Sequence, residues 1–257
     1  MTAIVPLDRM RRIELQRLTE DNGFGLPQGE ADDWVHFTGL AIPHTLYVAR
    51  SEDSRWLVGM AHVGVMEEVT ADHPGDVTSC PDGSVAVVVA ELGPMIRYMA
   101  RLARSLPTAP LDTFVAQTRA LPKTTEAERL VVQRVGQDVF RATLLDFWEG
   151  RCPLTLIAHP RLLRASHIKP WAACDTDAER LDVHNGLLLA AHLDAAFDAG
   201  LISFEMDGSL LVSPALADED IDRLGLPGLP RLQGLRPRHE PYLTHHRDIV
   251  FQAASND

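Results

Sequence analysis

One stretch, Asn185–Gly200 (NGLLLAAHLDAAFDAG), restricts the possible folds more than any other part of the chain. Asn-Gly is a strong turn or strand-entry signal. The three leucines after it are too short a run for a helix and suit a buried strand. The Ala-rich stretch that follows reads as a short helix stopped by Gly200, a residue that takes the left-handed conformation past a helix end without steric cost. Upstream, Leu162–Ile168 is apolar and short enough to be a second strand. The predicted order is therefore strand, loop, strand, helix. On that helix Asp194 and Asp198 stand at i and i+4, so both carboxylates project from one face. Two oxygen donors presented towards a histidine-bearing strand suit a hard divalent cation.

The charge distribution supports an anionic substrate at this place. The chain of 257 residues has a formal net charge of -12, which argues against a simple nucleic-acid coat protein. The acid is unevenly spread, however. It is dense between Glu30 and Asp82, where only Arg50 and Arg55 offset it. From Arg151 to Trp171 there are Arg151, Arg161, Arg164 and Lys169 and no acid at all. His167 sits in that window, with Arg164 and Lys169 as candidate phosphate contacts. Neither a GxxxxGK loop nor a dinucleotide-binding glycine pattern is present. Cys80, Cys152 and Cys174 form no CxxC pair, so inert thiols in a reducing compartment are expected. No run is long and apolar enough for a membrane span, and the charged N-terminus is unlike a signal peptide, so the expected location is cytoplasmic.

Two parts are expected, at 1–115 and 116–257, with the core of the second at 151–206. In the first, RMRRIELQRLTEDNG predicts a helix ending near Gly23. The segments HTLYVARSEDSRWLVGMAHVGVM and GSVAVVVAEL predict strands, and a helix is expected from about Pro94 to Ser105. A proline-rich connector follows, wrapped around a short helix. Thr125 and Glu128 then have capping-box spacing. Leu130, Val131, Val135, Val139, Leu144, Leu145 and Trp148 recur at helical spacing up to Gly150, which predicts a helix packed along its apolar stripe.

The run RCPLTLIAHPRLLRASHIKPWAACDTDAERLDVHNGLLLAAHLDAAFDAGLISF resembles the HNH endonuclease family, in its restriction-like bacterial subgroup. The flanks ERLVVQRVGQDVFRATLLDFWEGRC and PYLTHHRDIVF resemble that subgroup as well. The resemblance implies a ββα-metal fold in which His167 is the general base and Asn185 holds the loop and orients it. Metal ligands nine and thirteen residues after the asparagine fall on Asp194 and Asp198. Oxygen ligands imply Mg²⁺ or Mn²⁺ over Zn²⁺. Many relatives place a further metal ligand immediately before the base, where this chain has Ser166. His159, His184, His192, His245 and His246 are read as surface or packing residues, and Trp171 as a packing residue.

The fold class expected is thus α+β, an acidic N-terminal α+β module followed by a C-terminal ββα-metal nuclease domain. The function implied is metal-dependent DNA endonuclease activity in restriction or phage defence. Its partner would be plain or modified DNA, with the N-terminal module choosing targets or partners. A homodimer is expected if both strands are cut, because each chain carries one site. The alternative is a non-catalytic DNA-binding or regulatory protein with a degenerate HNH fold, for which Ser166 is the main support.

Overall fold

The computed structural model describes residues 3–106, 108–122 and 125–253. The chain divides into two compact units, Met1–Leu106 and Pro107–Asp257.

The first unit runs β1 (Ile4–Val5), α1 (Arg9–Asp21), β2 (Leu26–Ala31), β3 (Trp34–Thr38), β4 (Leu46–Ser51), β5 (Trp56–Met60), α2 (Val63–Asp72), β6 (Val77–Ser79), β7 (Val85–Val89) and α3 (Leu92–Ser105). Its antiparallel sheet has the order β2-β3-β4-β5-β7-β6, with β1 paired to β4. Leu46, Val48, Leu57, Val58, Val65, Val69, Ile96 and Met99 form much of its core. The segment Val63–Asp72 is a helix, although its valines favour a strand on propensity. His62 caps it, its Nδ1 accepting the Val65 N–H at 3.2 Å, and Val65, Met66 and Val69 bury one helical face. Packing and the cap outweigh a weak local preference. In α3, Pro94 sits in the first turn, where its missing N–H costs no hydrogen bond.

The second unit begins with α4 (Thr108–Thr118) and the long α5 (Glu126–Phe147). The capping box at the start of α5 is formed: Glu128 N–H donates to Thr125 Oγ1 at 3.2 Å and Thr125 N–H to Glu128 Oε2 at 2.8 Å. Val139, Phe140, Leu144, Phe147 and Trp148 are buried, whereas Leu130 and Val131 remain 60% and 52% exposed. Only the C-terminal part of the predicted stripe is therefore packed. Next come β8 (Leu163–His167), α6 (Asp177–Leu181), β9 (Gly186–Ala190) and α7 (Ala191–Asp198). The hairpin of β10 (Ile202–Phe204) and β11 (Leu210–Val212) leads to α8 (Asp218–Arg223) and α9 (Glu240–His245), which ends in a π-helical turn, His246–Val250.

β8 and β9 pair antiparallel, from Leu163 opposite Ala190 to His167 opposite Gly186. Successive side chains on a strand point to opposite faces. Accordingly His167 faces α5, stacking on Phe140 at 3.8 Å, while Ser166 faces α7 and donates to Asp198. The hairpin is sandwiched between the two helices, so every residue of β9 is buried, and its unbroken leucine run follows from burial on both faces. Gly186 is required by this packing, since a Cβ there would run into Phe140 and Leu144.

Candidate active site

His167 ends β8 and lines a cleft of about 350 Å³ together with Ser166, Pro170, Trp171, Asp198 and His246. Its Nε2 lies 2.9 Å from the Arg180 carbonyl, which can only accept, so Nε2 carries the proton and Nδ1 presents a lone pair. The ring is stacked on Phe140 and lies perpendicular to Trp171, whose centroid is 5.5 Å away. Burial lowers its pKa to about 4, against a weaker raising effect of the Arg180 carbonyl. The imidazole is therefore neutral and oriented at neutral pH.

Asn185 is fully buried and binds the loop that folds over His167. Its Oδ1 accepts the Lys169 N–H at 2.7 Å, and its Nδ2 faces the carbonyls of Lys169 and Glu179, each at 3.2 Å. Nδ2 also lies 3.3 Å from the Cys174 sulfur. The asparagine backbone joins in, its carbonyl accepting the Ile168 N–H at 3.0 Å. Arg180 tightens the same loop through the carbonyls of Trp171 and Cys174. The loop in turn presents the Arg180 carbonyl to His167, so Asn185 acts on the histidine through the backbone.

Asp194 and Asp198 flank Ser166 on the face of α7 that meets β8. The Ser166 hydroxyl donates to Asp198 Oδ1 at 3.3 Å. Burial raises the pKa of both carboxyls. The charge of Asp198 raises Asp194 further, against a hydrogen bond from Ser166 and the charge of Arg164. A partly buried carboxylate and an exposed one, the second raising the first by its charge, are a donor set a cation would relieve. Among the described residues no cluster of three or more His, Cys, Asp or Glu side chains gathers that could hold a metal ion. The residues present fit an ion bound through one or two carboxylates, with water and substrate phosphate completing its shell, as Mg²⁺ commonly is.

The two cations predicted to meet phosphate are placed differently. Arg164 is exposed on β8, one guanidinium nitrogen resting 3.1 Å from the carbonyls of Arg161 and Leu163. The Lys169 ammonium is instead 2.6 Å from Glu179 and 3.8 Å from Asp175, inside the loop that Asn185 pins. Its hydrogen bond to Glu179, more than its burial, sets its pKa, which is raised. Two participants carried no readable signal: the Arg180 carbonyl, a backbone group, and His246, one of two adjacent histidines far along the chain.

Residues 152–205 match the HNH endonuclease family. No curated protein matches the chain. The matched segment spans β8, the pinned loop, β9 and α7, and with them every residue described above except Phe140 and His246. The C-terminal half of this chain, after its sheet-rich N-terminal region, thus carries an HNH endonuclease domain.

Proposed function

We propose that the protein is a metal-dependent DNA endonuclease that hydrolyses phosphodiester bonds with His167 as general base. The observation that carries this reading is the state of His167. Its Nε2 proton is committed to the Arg180 carbonyl, which leaves Nδ1 as the ring's proton acceptor, and the residue lines a cleft shared with Ser166 and Asp198. Nδ1 takes a proton from water as the water oxygen bonds to phosphorus, and the bond from phosphorus to the departing 3′ oxygen breaks. Asp194 and Asp198 are the ligands for Mg²⁺ or Mn²⁺, favoured over Zn²⁺ because the donors are carboxylate and hydroxyl oxygens. When bound, the ion supplies charge stabilisation at the phosphate and the leaving oxygen. Asn185 holds the loop that orients the base. Arg164 meets the phosphate backbone directly, while Lys169 braces the loop and reaches phosphate only by leaving Glu179.

A restriction or phage-defence role, acting on plain or modified DNA, fits such an enzyme, with the acidic N-terminal unit choosing the target or a partner. The experiment is cleavage of supercoiled plasmid, unmodified, methylated and hydroxymethylated, with Mg²⁺, Mn²⁺ or EDTA, for wild type, His167→Ala and Asp194→Ala. Cutting that needs metal and both side chains is the expected result. DNA binding without cutting on every substrate would sink the nuclease reading and favour a degenerate, regulatory HNH protein. Linearisation without a nicked intermediate would support action as a homodimer.

A further inference from the structure

The C-terminal strap, residues 240–252, lies beyond the segment matched to the family and returns to the end of α7. His246, at its centre, is buried, and its ring lies flat on Phe197, with centroids 3.8 Å apart and planes 5° apart. Nε2 is 3.1 Å from the Phe197 carbonyl, and Nδ1 is 2.9 Å from the Ser203 hydroxyl. The carbonyl can only accept, so Nε2 carries the proton and Nδ1 accepts from Ser203. Phe197 immediately precedes Asp198, and its carbonyl is among those that a helix end leaves without an intrahelical partner. Gly200 N–H takes the same carbonyl at 2.8 Å.

The strap reinforces this turn twice more. Gln252 donates its N–H to the Gly200 carbonyl at 2.9 Å and its side-chain Nε2 to the Ala199 carbonyl at 3.0 Å. Gly200 has φ +69°, and a Cβ there would meet the Val250 carbonyl. The last turn of α7 is therefore bounded by the strap. Packing alone would need only the volume of the ring. Here both ring nitrogens are committed, one to α7 and one to β10, and the ring also borders the cleft that holds Ser166, His167 and Asp198.

From this geometry we infer that His246 is a positioning residue for Asp198, fixing the end of α7 so that the second carboxylate stands against Ser166 in the cleft. The inference rests on the nuclease reading above. Groups that orient a metal's direct ligands are typically worth about 10–100-fold in affinity or activity.

The test is Mn²⁺ uptake by the full chain without DNA, by calorimetry and by electron paramagnetic resonance of the ion, alongside Mn²⁺-dependent cleavage. The variants are His246→Leu, His246→Gln, Ser203→Ala and Asp194→Ala. His246→Leu is expected to weaken Mn²⁺ binding about 10–100-fold and to raise the Mn²⁺ needed for half-maximal cleavage equally. KM for DNA at saturating Mn²⁺ should not move. His246→Gln, whose amide can still donate to the Phe197 carbonyl, should recover most of the affinity. A folded His246→Leu chain with wild-type Mn²⁺ affinity overturns the inference, as does lost thermal stability with unchanged Mn²⁺ dependence. Should His246→Leu not fold, Ser203→Ala decides, because it releases Nδ1 and leaves the ring held by Phe197 alone, and unchanged affinity there is equally fatal. Wild-type protein that takes up no Mn²⁺ overturns the metal reading and this inference together. Uptake lost in Asp194→Ala but kept in His246→Leu overturns this inference alone.

Discussion

His167 owes its state to three neighbours that act differently: Phe140 buries its face, Trp171 borders its edge, and the Arg180 carbonyl selects its tautomer. His167→Ala removes the proton acceptor and leaves that carbonyl facing a small cavity. Cleavage should fall by about 10²–10⁴-fold, the usual worth of a general base, with DNA binding retained in a gel-shift assay. The carboxylates set a different limit. Burial raises both Asp194 and Asp198, and the charge of Asp198 raises Asp194 further, so they take up protons earlier on acidification than an ordinary carboxyl does. Protons compete with the cation for these oxygens. The Mn²⁺ required for half-maximal cleavage should therefore rise as pH falls from about 7 to about 5. A metal requirement flat across that range would count against both ligands. The aspartate pair was legible in the sequence because helical spacing alone puts i and i+4 on one face. The commitment of Lys169 to Glu179 was not, because it depends on how a loop of irregular backbone closes.

Among the elements, the hairpin and α7 could be read closely from their residues. Asn185-Gly186 marks the entry to β9, the leucine run is the buried strand, and the glycine stop takes a left-handed conformation that few residue types satisfy. The capping box of α5 was equally plain, since it needs two side chains at fixed spacing. Two features were hidden. Helix α2 has strand-like valines and exists because packing and His62 favour it. The exposure of Leu130 and Val131 cannot follow from periodicity, which marks a face without saying how far along the helix a partner extends. The close contact of β9 with α5 gives a direct test. Gly186 has ordinary extended backbone, but a Cβ there would approach Phe140 to 2.5 Å. Gly186→Ala should cost about 1–3 kcal/mol in urea unfolding, the usual penalty for overpacking. It should also lower cleavage by displacing the ring on which His167 rests. Unchanged stability would mean that α5 sits less tightly on the hairpin than described.

Across the whole molecule, three histidines whose pKa values are held well down couple folding to pH. Burial holds His167 and His246 at about 4 and His239 at about 3, all below the ordinary value of 6.5. Between those values and 6.5 the unfolded chain binds more protons than the folded one, so stability rises with pH in that window. Their contribution is fully present above about pH 6.5 and is lost as pH falls through the folded values. The unfolding midpoint should drop steadily on acidification below about pH 6.5, each histidine adding a slope of up to about 1.4 kcal/mol per pH unit. His246→Gln should flatten that slope, and a midpoint indifferent to pH in that range would contradict the burial of these rings. Among the described residues no helix is long and apolar enough to cross a membrane.

The strap bears on heredity and engineering as well as chemistry. The portion of the chain that carries the family signature ends at residue 205, yet the final turn of its helix is held by Gln252 and His246. What is recognisable and what can stand alone are thus different lengths of polypeptide. A fragment trimmed to the signature would keep the reacting groups while baring the Phe197 ring that His246 covers. Transplanting this domain into another protein means carrying its tail along.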